Sequence, residues 1–194
     1  MQDFSTPTAL IADMARHARA ASAMLAQTPT ARKSEALIAA AHALRTATAE
    51  ILLANQQDME AGAKAGLSGA MLDRLRLDAG RIDGMAAGVE AVAHLPDPVG
   101  ATIDESIRPN GMAISRVRVP LGVIGIIYES RPNVTADAAA LCLASGNAAL
   151  LRGGSEAVHS NRAIFAAFQS GLIAAGLPEK AVQLVPTQDR AAVG

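Results

Sequence analysis

Two short polar turns carry the residue types best suited to chemistry. Glu129-Ser-Arg-Pro-Asn133 and Arg152-Gly-Gly-Ser-Glu156 each follow an apolar run. The guanidinium of Arg131 can neutralise a phosphate or a carboxylate, and the amide of Asn133 can donate a hydrogen bond to a developing oxyanion. The alternative interpretation is a proline turn whose polar side chains are simply solvated.

The second turn has features of a phosphate-binding loop. Arg152 supplies a fixed positive charge, and Gly153 and Gly154 permit close approach of the backbone. A helix is predicted to begin here, and the N–H groups at its N-terminus suit an anion. However, the spacing is not G-x-G-x-x-G, a pattern that is absent from the chain. A plain turn capped by Ser155 is the alternative.

The remaining reactive side chains give weaker signals. Cys142 is the lone cysteine and lies in the apolar segment Ala138–Ala144, where burial raises the pKa of a thiol and makes it a poor nucleophile. The histidines show no metal-ligand spacing, so no metal site is predicted. They are His17, His42, His94 and His159.

The segment Pro120–Gly154 is predicted to position both turns. The near-continuous apolar run Leu121–Tyr128 predicts a buried parallel strand. A helix should begin near Thr135 and stop at Gly146, and a second strand should follow at Ala148–Leu151. Strand, helix and strand followed by a glycine turn form a βαβ unit of the kind that binds nucleotides, with ligands at the carboxyl ends of the strands.

Apolar spacing and cap residues predict the other elements. Thr30, Ser68 and Asp78 are the expected N-caps of three helices. The predicted helices cover Thr8–Ala26, Thr30 to about Gly62–Gly66, Ser68–Leu75, Asp78–Ala93 and Ser155–Ala175, and a third parallel strand covers Val182–Val185.

A β-hairpin is predicted between the helices and the βαβ unit. The strand-like runs Thr102–Ile107 and Met112–Val119 flank Asn110-Gly111, the strongest short-range hairpin signal. A hairpin in this place exposes its edges, which favours pairing with another chain. Packing across its own domain is an equally open alternative.

Composition limits the class of protein. With 194 residues, 51% hydrophobic and 18% charged, the sequence is typical of a globular domain. A net charge of −1 and 2% aromatic residues give no reason to expect a nucleic-acid or membrane-surface partner. One cysteine, no secretory signal and no long apolar run together predict a cytoplasmic protein.

Several motifs resemble one enzyme family, the γ-glutamyl phosphate reductases, also called glutamate-5-semialdehyde dehydrogenases. The resemblance covers residues 8–194 in order, and this family is a branch of the aldehyde dehydrogenase superfamily. The motifs are Leu67-Ser-x-Ala-Met-Leu-Asp-Arg-Leu-x-Leu77, Arg81-Ile-x-x-Met-Ala86, Leu95-Pro-Asp-Pro-Val-Gly100, Arg116-Val-x-Val-Pro-Leu-Gly-Val-Ile-Gly125, Tyr128-Glu-Ser-Arg-Pro-Asn-Val-Thr135 and Ser145-Gly-Asn-Ala-x-Leu-Leu-Arg-Gly-Gly154.

The resemblance implies an α/β fold in which N-terminal helices and a β-hairpin pack on a Rossmann-like parallel βαβ sheet. Its implied divisions are a helical layer at 1–98, an oligomerisation hairpin at 99–119 and an NADP(H)-binding part at 120–194. The implied reaction is reduction of L-glutamyl 5-phosphate by NADPH to L-glutamate 5-semialdehyde and phosphate, in proline biosynthesis. A homo-oligomer is expected, with glutamate 5-kinase as a pathway partner.

Site roles also follow from the resemblance. Arg131 and Ser130 are expected to bind substrate, and Asn133 is the expected oxyanion donor, although an ungapped match puts Arg131 in that place. The expected cofactor residues are Glu129, Arg152, Gly153, Gly154, Ser155 and Pro186. Where the superfamily has an acid that holds the adenosine ribose, this chain has Ser155, which together with Arg152 favours a 2′-phosphate and hence NADPH.

Catalysis in this family is implied to pass through a thioester on a cysteine that nothing in this sequence matches. Cys142 precedes Arg152 in the cofactor part and cannot replace that cysteine. The chain therefore resembles the N-terminal half of the enzyme and is expected to be inactive alone. The alternatives are a non-catalytic NADP(H)-binding or assembly module and an ordinary aldehyde dehydrogenase, whose usual Pro-Trp-Asn signature is replaced here by the Glu129–Asn133 turn.

Overall fold

The computed structural model describes residues 6–192. Its helices are α1 (Pro7–Leu25), α2 (Thr30–Thr46), α3 (Thr48–Lys64), α4 (Gly69–Leu75), α5 (Ala79–Ala93), α6 (Val134–Ala144) and α7 (Val158–Ala174). Its strands are β1 (Thr102–Ile107), β2 (Ala113–Val117), β3 (Val123–Ile127), β4 (Ala148–Arg152) and β5 (Val182–Leu184). The helical N-terminal part, the hairpin and the parallel βαβ sheet predicted from the sequence are confirmed.

Two of the three predicted N-caps are confirmed. The hydroxyl of Ser68 accepts a hydrogen bond from the Met71 N–H, and the carboxylate of Asp78 accepts one from the Arg81 N–H. The prediction for Thr30 was wrong, because Pro29 occupies the cap position of α2. The hydroxyl of Thr30 instead donates to Asp97, 2.7 Å away.

The single long helix predicted after Thr30 was also wrong, because it breaks at Ala47 into α2 and α3, which meet at a bend of 66°. The Thr48 hydroxyl donates to the Arg45 carbonyl at 2.7 Å, and such side-chain bonds compete with the helical ladder. No single helix within residues 6–192 is long and apolar enough to cross a membrane. Only α2 and α3 taken together, across the bend, have the length and apolar composition of a membrane span.

Strands β3, β4 and β5 form one parallel sheet in that order. Ile127 of β3 lies opposite Arg152 of β4, so the two polar turns leave the same edge of the sheet. The prediction that the first strand is buried on both faces was wrong: Leu121 is 84% exposed and Ile127 is 59% exposed. Within the described residues β3 is an edge strand that pairs with β4 alone.

The core lies between the helices and this sheet. Helix α2 packs between α5 and α7, and α1 packs against β4 and β5. The approach of α2 to α7 is close enough to require glycine: a Cβ on Gly171 would lie 2.3 Å from the Ala40 nitrogen. Gln183 of β5 secures α1 by donating to the Met14 carbonyl at 3.0 Å.

The β-hairpin stands away from this core. Strands β1 and β2 are antiparallel, with Ile107 opposite Ala113, and Gly111 in the connecting turn has a φ of 84°. Every residue in both strands is exposed. Along the two strands the hairpin therefore does not pack over its own domain within the described residues.

A nearly buried ion pair fastens α2 to the segment before the hairpin. The ammonium of Lys33 lies 2.6 Å from the carboxylate of Asp97, and the two side chains are only 3% and 13% exposed. Lys33 also donates to the Ala144 carbonyl at the end of α6. Burial raises the pKa of Asp97, but hydrogen bonds from Lys33, Thr30 and Val99 outweigh it and hold the pKa below its usual range.

This ion pair predicts a specific pH dependence. Because the pKa of Asp97 is lower in the folded chain, its stabilisation is complete above the unfolded pKa of about 4 and is lost as pH falls through the folded pKa. Asp97→Asn should lower the free energy of unfolding by about 3 kcal/mol at pH 7. The difference from wild type should shrink below about pH 4, as measured by urea unfolding across pH.

The control is Asp104→Asn, which removes the exposed pair with Arg116 on the hairpin. Exposed pairs contribute about 0–1 kcal/mol, so this variant should stay close to wild type at every pH. A stability loss in Asp97→Asn that is equally large at pH 3 and pH 7 would contradict the assignment.

Candidate active-site turns and an arginine-lined cavity

The two polar turns lie side by side and are joined directly. The N–H of Tyr128 donates to the Arg152 carbonyl at 3.1 Å, which extends the pairing of β3 and β4 to the start of the turns. Ser130 then donates from its N–H and its hydroxyl to the same oxygen of Glu156, at 2.6 and 2.8 Å. The turn predicted to bind substrate and the turn predicted to bind cofactor therefore form one unit.

The Ser130–Glu156 contact holds a strained backbone. Ser130 has a φ of 44°, a left-handed conformation that is uncommon for a residue with a side chain. Burial raises the pKa of Glu156, but hydrogen bonds to its own backbone and to Ser130 outweigh it and keep the pKa below its usual range. The carboxylate is thus held ionised, and it fixes the backbone and the hydroxyl of Ser130.

Behind the turns lies a buried polar network. The hydroxyl of Tyr128 is 2.7 Å from that of Thr135, and Thr135 donates to Asn161 Oδ1 at 3.1 Å. A Cβ on Gly153 would lie 2.0 Å from Asn161 Nδ2. Packing against this network explains glycine at position 153 without a ligand.

The helix predicted to begin at Ser155 begins later than expected. Ser155–Ala157 forms a short 3₁₀ turn without a side-chain cap from Ser155, and α7 begins only at Val158. The first N–H groups of α7, on His159 and Ser160, donate to the buried carboxylate of Asp58 at 3.1 and 2.7 Å. The N-terminus of α7 is therefore capped by a side chain of α3.

Arg152 is the last residue of β4 and leads into the turn predicted to bind cofactor. Its Nη2 donates to the Gln188 carbonyl at 3.1 Å, which brings the turn next to the segment that follows β5. Its Nε is buried and has no hydrogen-bond partner among the described residues.

Three of the other predicted cofactor residues lie at the surface. Pro186, in the segment that follows β5, is exposed, and its carbonyl accepts a hydrogen bond from Arg162 at 3.2 Å. Ser155 and Glu129 are exposed.

A cavity of about 420 Å³ is lined in part by Arg131 and Asn133 of the Glu129–Asn133 turn. It is formed where the α4–α5 connection faces the start of α6. The lining residues are Asp73, Arg74, Arg76, Leu77, Arg81, Gly84, Met85, Arg131, Asn133 and Asp137. Arg131 and Asn133, which the sequence analysis selected, thus open into one cavity with three further arginines.

The polar groups of this cavity have different partners. Arg81 is tied to the protein, since it donates to the carbonyls of Asp73 and Arg76 and pairs with the Asp73 carboxylate at 3.0 Å. Asn133 Nδ2 donates to Asp137 at 2.8 Å, which leaves its second N–H for another acceptor. Burial raises the pKa of Asp137, and this bond from Asn133 opposes the rise.

Sequence reasoning missed Arg74, Arg76 and Asp137. Arg74 and Arg76 resemble ordinary surface charges beside a short helix, and nothing in the sequence connects them with Arg131. The spacing of Asn133 and Asp137 on one helix face was a usable signal, because residues four apart are neighbours on a helix. Cys142 is buried in α6, and burial raises its pKa, as predicted.

Comparison with known proteins agrees with this architecture. The aldehyde dehydrogenase family model matches residues 5–194. The γ-glutamyl phosphate reductase of Sphingopyxis alaskensis is 70% identical over 186 residues, which cover 96% of this chain and 43% of the relative. That of Zymomonas mobilis is 59% identical over 192 residues, covering 99% of this chain and 45% of the relative.

Solved structures give the same result. The γ-glutamyl phosphate reductase of Thermotoga maritima superposes with a TM-score of 0.90 at 43% identity, over 93% of this chain and 44% of that one. The Saccharomyces cerevisiae enzyme gives a TM-score of 0.87 at 31% identity, over 94% and 48%. The chain thus spans less than half the length of these relatives. It belongs to the aldehyde dehydrogenase family.

Proposed function

We propose that this chain supplies the substrate- and cofactor-binding surfaces for NADPH-dependent reduction of L-glutamyl 5-phosphate to L-glutamate 5-semialdehyde and phosphate, a step of proline biosynthesis. The observation that carries the proposal is the arginine-lined cavity, which opens beside a turn bonded directly to the cofactor turn. A cavity rich in guanidinium groups suits a substrate that carries several negative charges.

Each turn residue then has a role. Arg131 binds the acyl phosphate, and the free N–H of the Asn133 amide donates to the carbonyl oxygen as negative charge develops on it. Ser130 acts at the substrate side of the turn, and its bond to Glu156 keeps both residues oriented. Such positioning matters because small displacements of binding groups cost large factors in rate.

The cofactor side fits a nicotinamide dinucleotide phosphate. Enzymes of this family use NAD(P), and NADPH would supply the hydride for the reduction. The unsatisfied Nε of Arg152 is a donor that an anionic ligand would satisfy, and Ser155 adds no negative charge beside it. These two residues would hold the 2′-phosphate, with Glu129, Gly153, Gly154 and Pro186 around the adenosine end.

The thioester nucleophile is proposed to come from outside these residues. Cys142 is buried, and its raised pKa leaves little thiolate at neutral pH. The 194-residue chain alone should therefore bind ligands without turnover. We also propose a cytoplasmic location, functional association with glutamate 5-kinase and a homo-oligomer formed through the exposed hairpin.

Calorimetric titration with NADPH tests the cofactor assignment. Wild type should bind NADPH more tightly than NADH by about tenfold, because one charge-assisted contact to the 2′-phosphate is present only with NADPH. Arg152→Ala should remove that preference. Ser170→Ala on α7, remote from the turn, is the control. Equal affinities for the two cofactors in wild type would exclude the assignment.

A second candidate function is a non-catalytic assembly module, favoured by the hairpin whose strands are exposed at every residue. Its test is analytical sedimentation of the full chain and of a variant that lacks the hairpin. An oligomer that depends on the hairpin, together with no heat on NADPH titration, would favour assembly over cofactor binding.

A further inference from the structure

The cavity beside Arg131 has an unusual balance of charge. Arg81 and Asp73 pair with each other and neutralise one another. What remains in the lining are three cationic side chains, Arg74, Arg76 and Arg131, and one carboxylate, Asp137. Within the described residues none of these four groups takes part in an ion pair.

Asp137 is the least expected member of this set. It lies half-buried on the first turns of α6, and one of its oxygens, Oδ2, accepts from Asn133. Burial of a carboxylate without a cationic partner costs desolvation free energy, and burial raises the pKa of Asp137. A cation contributed by a ligand would remove this cost while leaving the Asn133 bond intact.

The remaining charges are the inverse of those on the proposed substrate. L-glutamyl 5-phosphate has one ammonium group, one carboxylate and one doubly charged phosphate, giving one positive and three negative charges. We propose that Asp137 binds the α-ammonium group of the substrate and selects for α-amino acids, while Arg74 and Arg76 bind its α-carboxylate. This assignment rests on the proposed function, in which Arg131 binds the phosphate.

Binding of L-glutamate and of glutarate to the 194-residue chain, followed by NMR titration, tests the proposal. The two probes differ only in the α-ammonium group, and both present carboxylates to the arginines. Wild type should bind L-glutamate about tenfold more tightly than glutarate, the size of one charge-assisted hydrogen bond. Asp137→Asn keeps an oxygen for Asn133 and should abolish this preference without weakening glutarate binding.

Asp73→Asn is the matched control, because it makes the same chemical change in the same cavity at a carboxylate already paired with Arg81. It should retain the preference for L-glutamate. A preference that survives Asp137→Asn, or is lost equally in Asp73→Asn, would overturn the proposal. So would a wild-type chain that binds the two probes equally or binds neither, and this comparison requires no variant to fold.

Failure of the proposed function gives a different result. Inorganic phosphate is the probe for Arg131, and NADPH is the probe for Arg152. If both bind as proposed while L-glutamate shows no preference, only the role of Asp137 is wrong. If the preference for L-glutamate depends on Asp137 but phosphate and NADPH do not bind, the cavity recognises amino acids in a protein with another activity.

Discussion

Arg131→Ala is expected to weaken binding of inorganic phosphate to the chain by about 10- to 100-fold, with NADPH affinity nearly unchanged. A guanidinium makes charge-assisted, bidentate bonds to phosphate that alanine cannot replace. Arg131 lines the cavity, and its side chain makes no hydrogen bond or ion pair within the described residues, so its truncation should not disturb the fold. Calorimetry with each ligand measures both effects.

In a polypeptide that also carries the nucleophile, the same change should raise KM for glutamyl 5-phosphate strongly. Arg108→Ala, in the exposed hairpin turn, is the control for loss of one positive charge. Equal loss of phosphate and NADPH binding in Arg131→Ala would point to a structural role for the side chain and would contradict its role in binding substrate.

Asp58→Ala is expected to be the most destabilising of these substitutions, lowering the free energy of unfolding by about 3–5 kcal/mol. The buried carboxylate accepts from the N–H groups of His159 and Ser160 and from the Ser160 hydroxyl at 2.6 Å. Without it, the start of α7 keeps buried donors with no acceptor. Urea unfolding followed by circular dichroism measures the loss.

The control for this prediction is Asp83→Ala, which removes an exposed carboxylate paired with Arg45 and should cost about 0–1 kcal/mol. Asp58→Asn retains one acceptor oxygen and should fall between the two. A stability loss below about 1 kcal/mol for Asp58→Ala would show that water or the surrounding chain satisfies the α7 N–H groups, and would refute the capping role.

The Asp58 contact also bears on the cavity. One turn earlier on α3, Asn55 donates to the Leu75 carbonyl at 2.8 Å and to the Ser160 hydroxyl at 3.0 Å, and accepts from the Leu77 N–H. This network joins the start of α7 to the end of α4, which carries Arg74, and to the α4–α5 connection, which carries Arg76. The contacts that hold the start of α7 therefore also support the arginines that we propose bind substrate.

Local signals in the sequence were sufficient to predict much of the fold. Ser68 and Asp78 begin helices because their side chains accept the orphan N–H groups of the first turn, and Gly146 ends α6 with a φ of 74°. The hairpin followed from Asn110-Gly111. These predictions were confirmed because each depends on interactions within a few residues.

Where contacts between residues distant in sequence determine the structure, the sequence alone was insufficient to predict it. The break at Ala47 accompanies a change of packing, because α2 packs against both α5 and α7, whereas α3 continues along α7 and contacts α4. The exposure of β3 depends on which strands pair with it, and an apolar run does not indicate those partners. Thr30 bonds to Asp97, far along the chain, in preference to capping α2.

The same distinction applies to the candidate site. By itself the sequence determined the two polar turns, their place at the carboxyl ends of adjacent parallel strands, the inert Cys142 and the family motifs. Only the tertiary structure decided that Asp58 caps the start of α7, that Glu156 holds Ser130, and that Arg74, Arg76 and Asp137 share a cavity with Arg131. The physical reason is that charge complementarity is a property of groups brought together across the fold, whereas turns and caps are properties of adjacent residues.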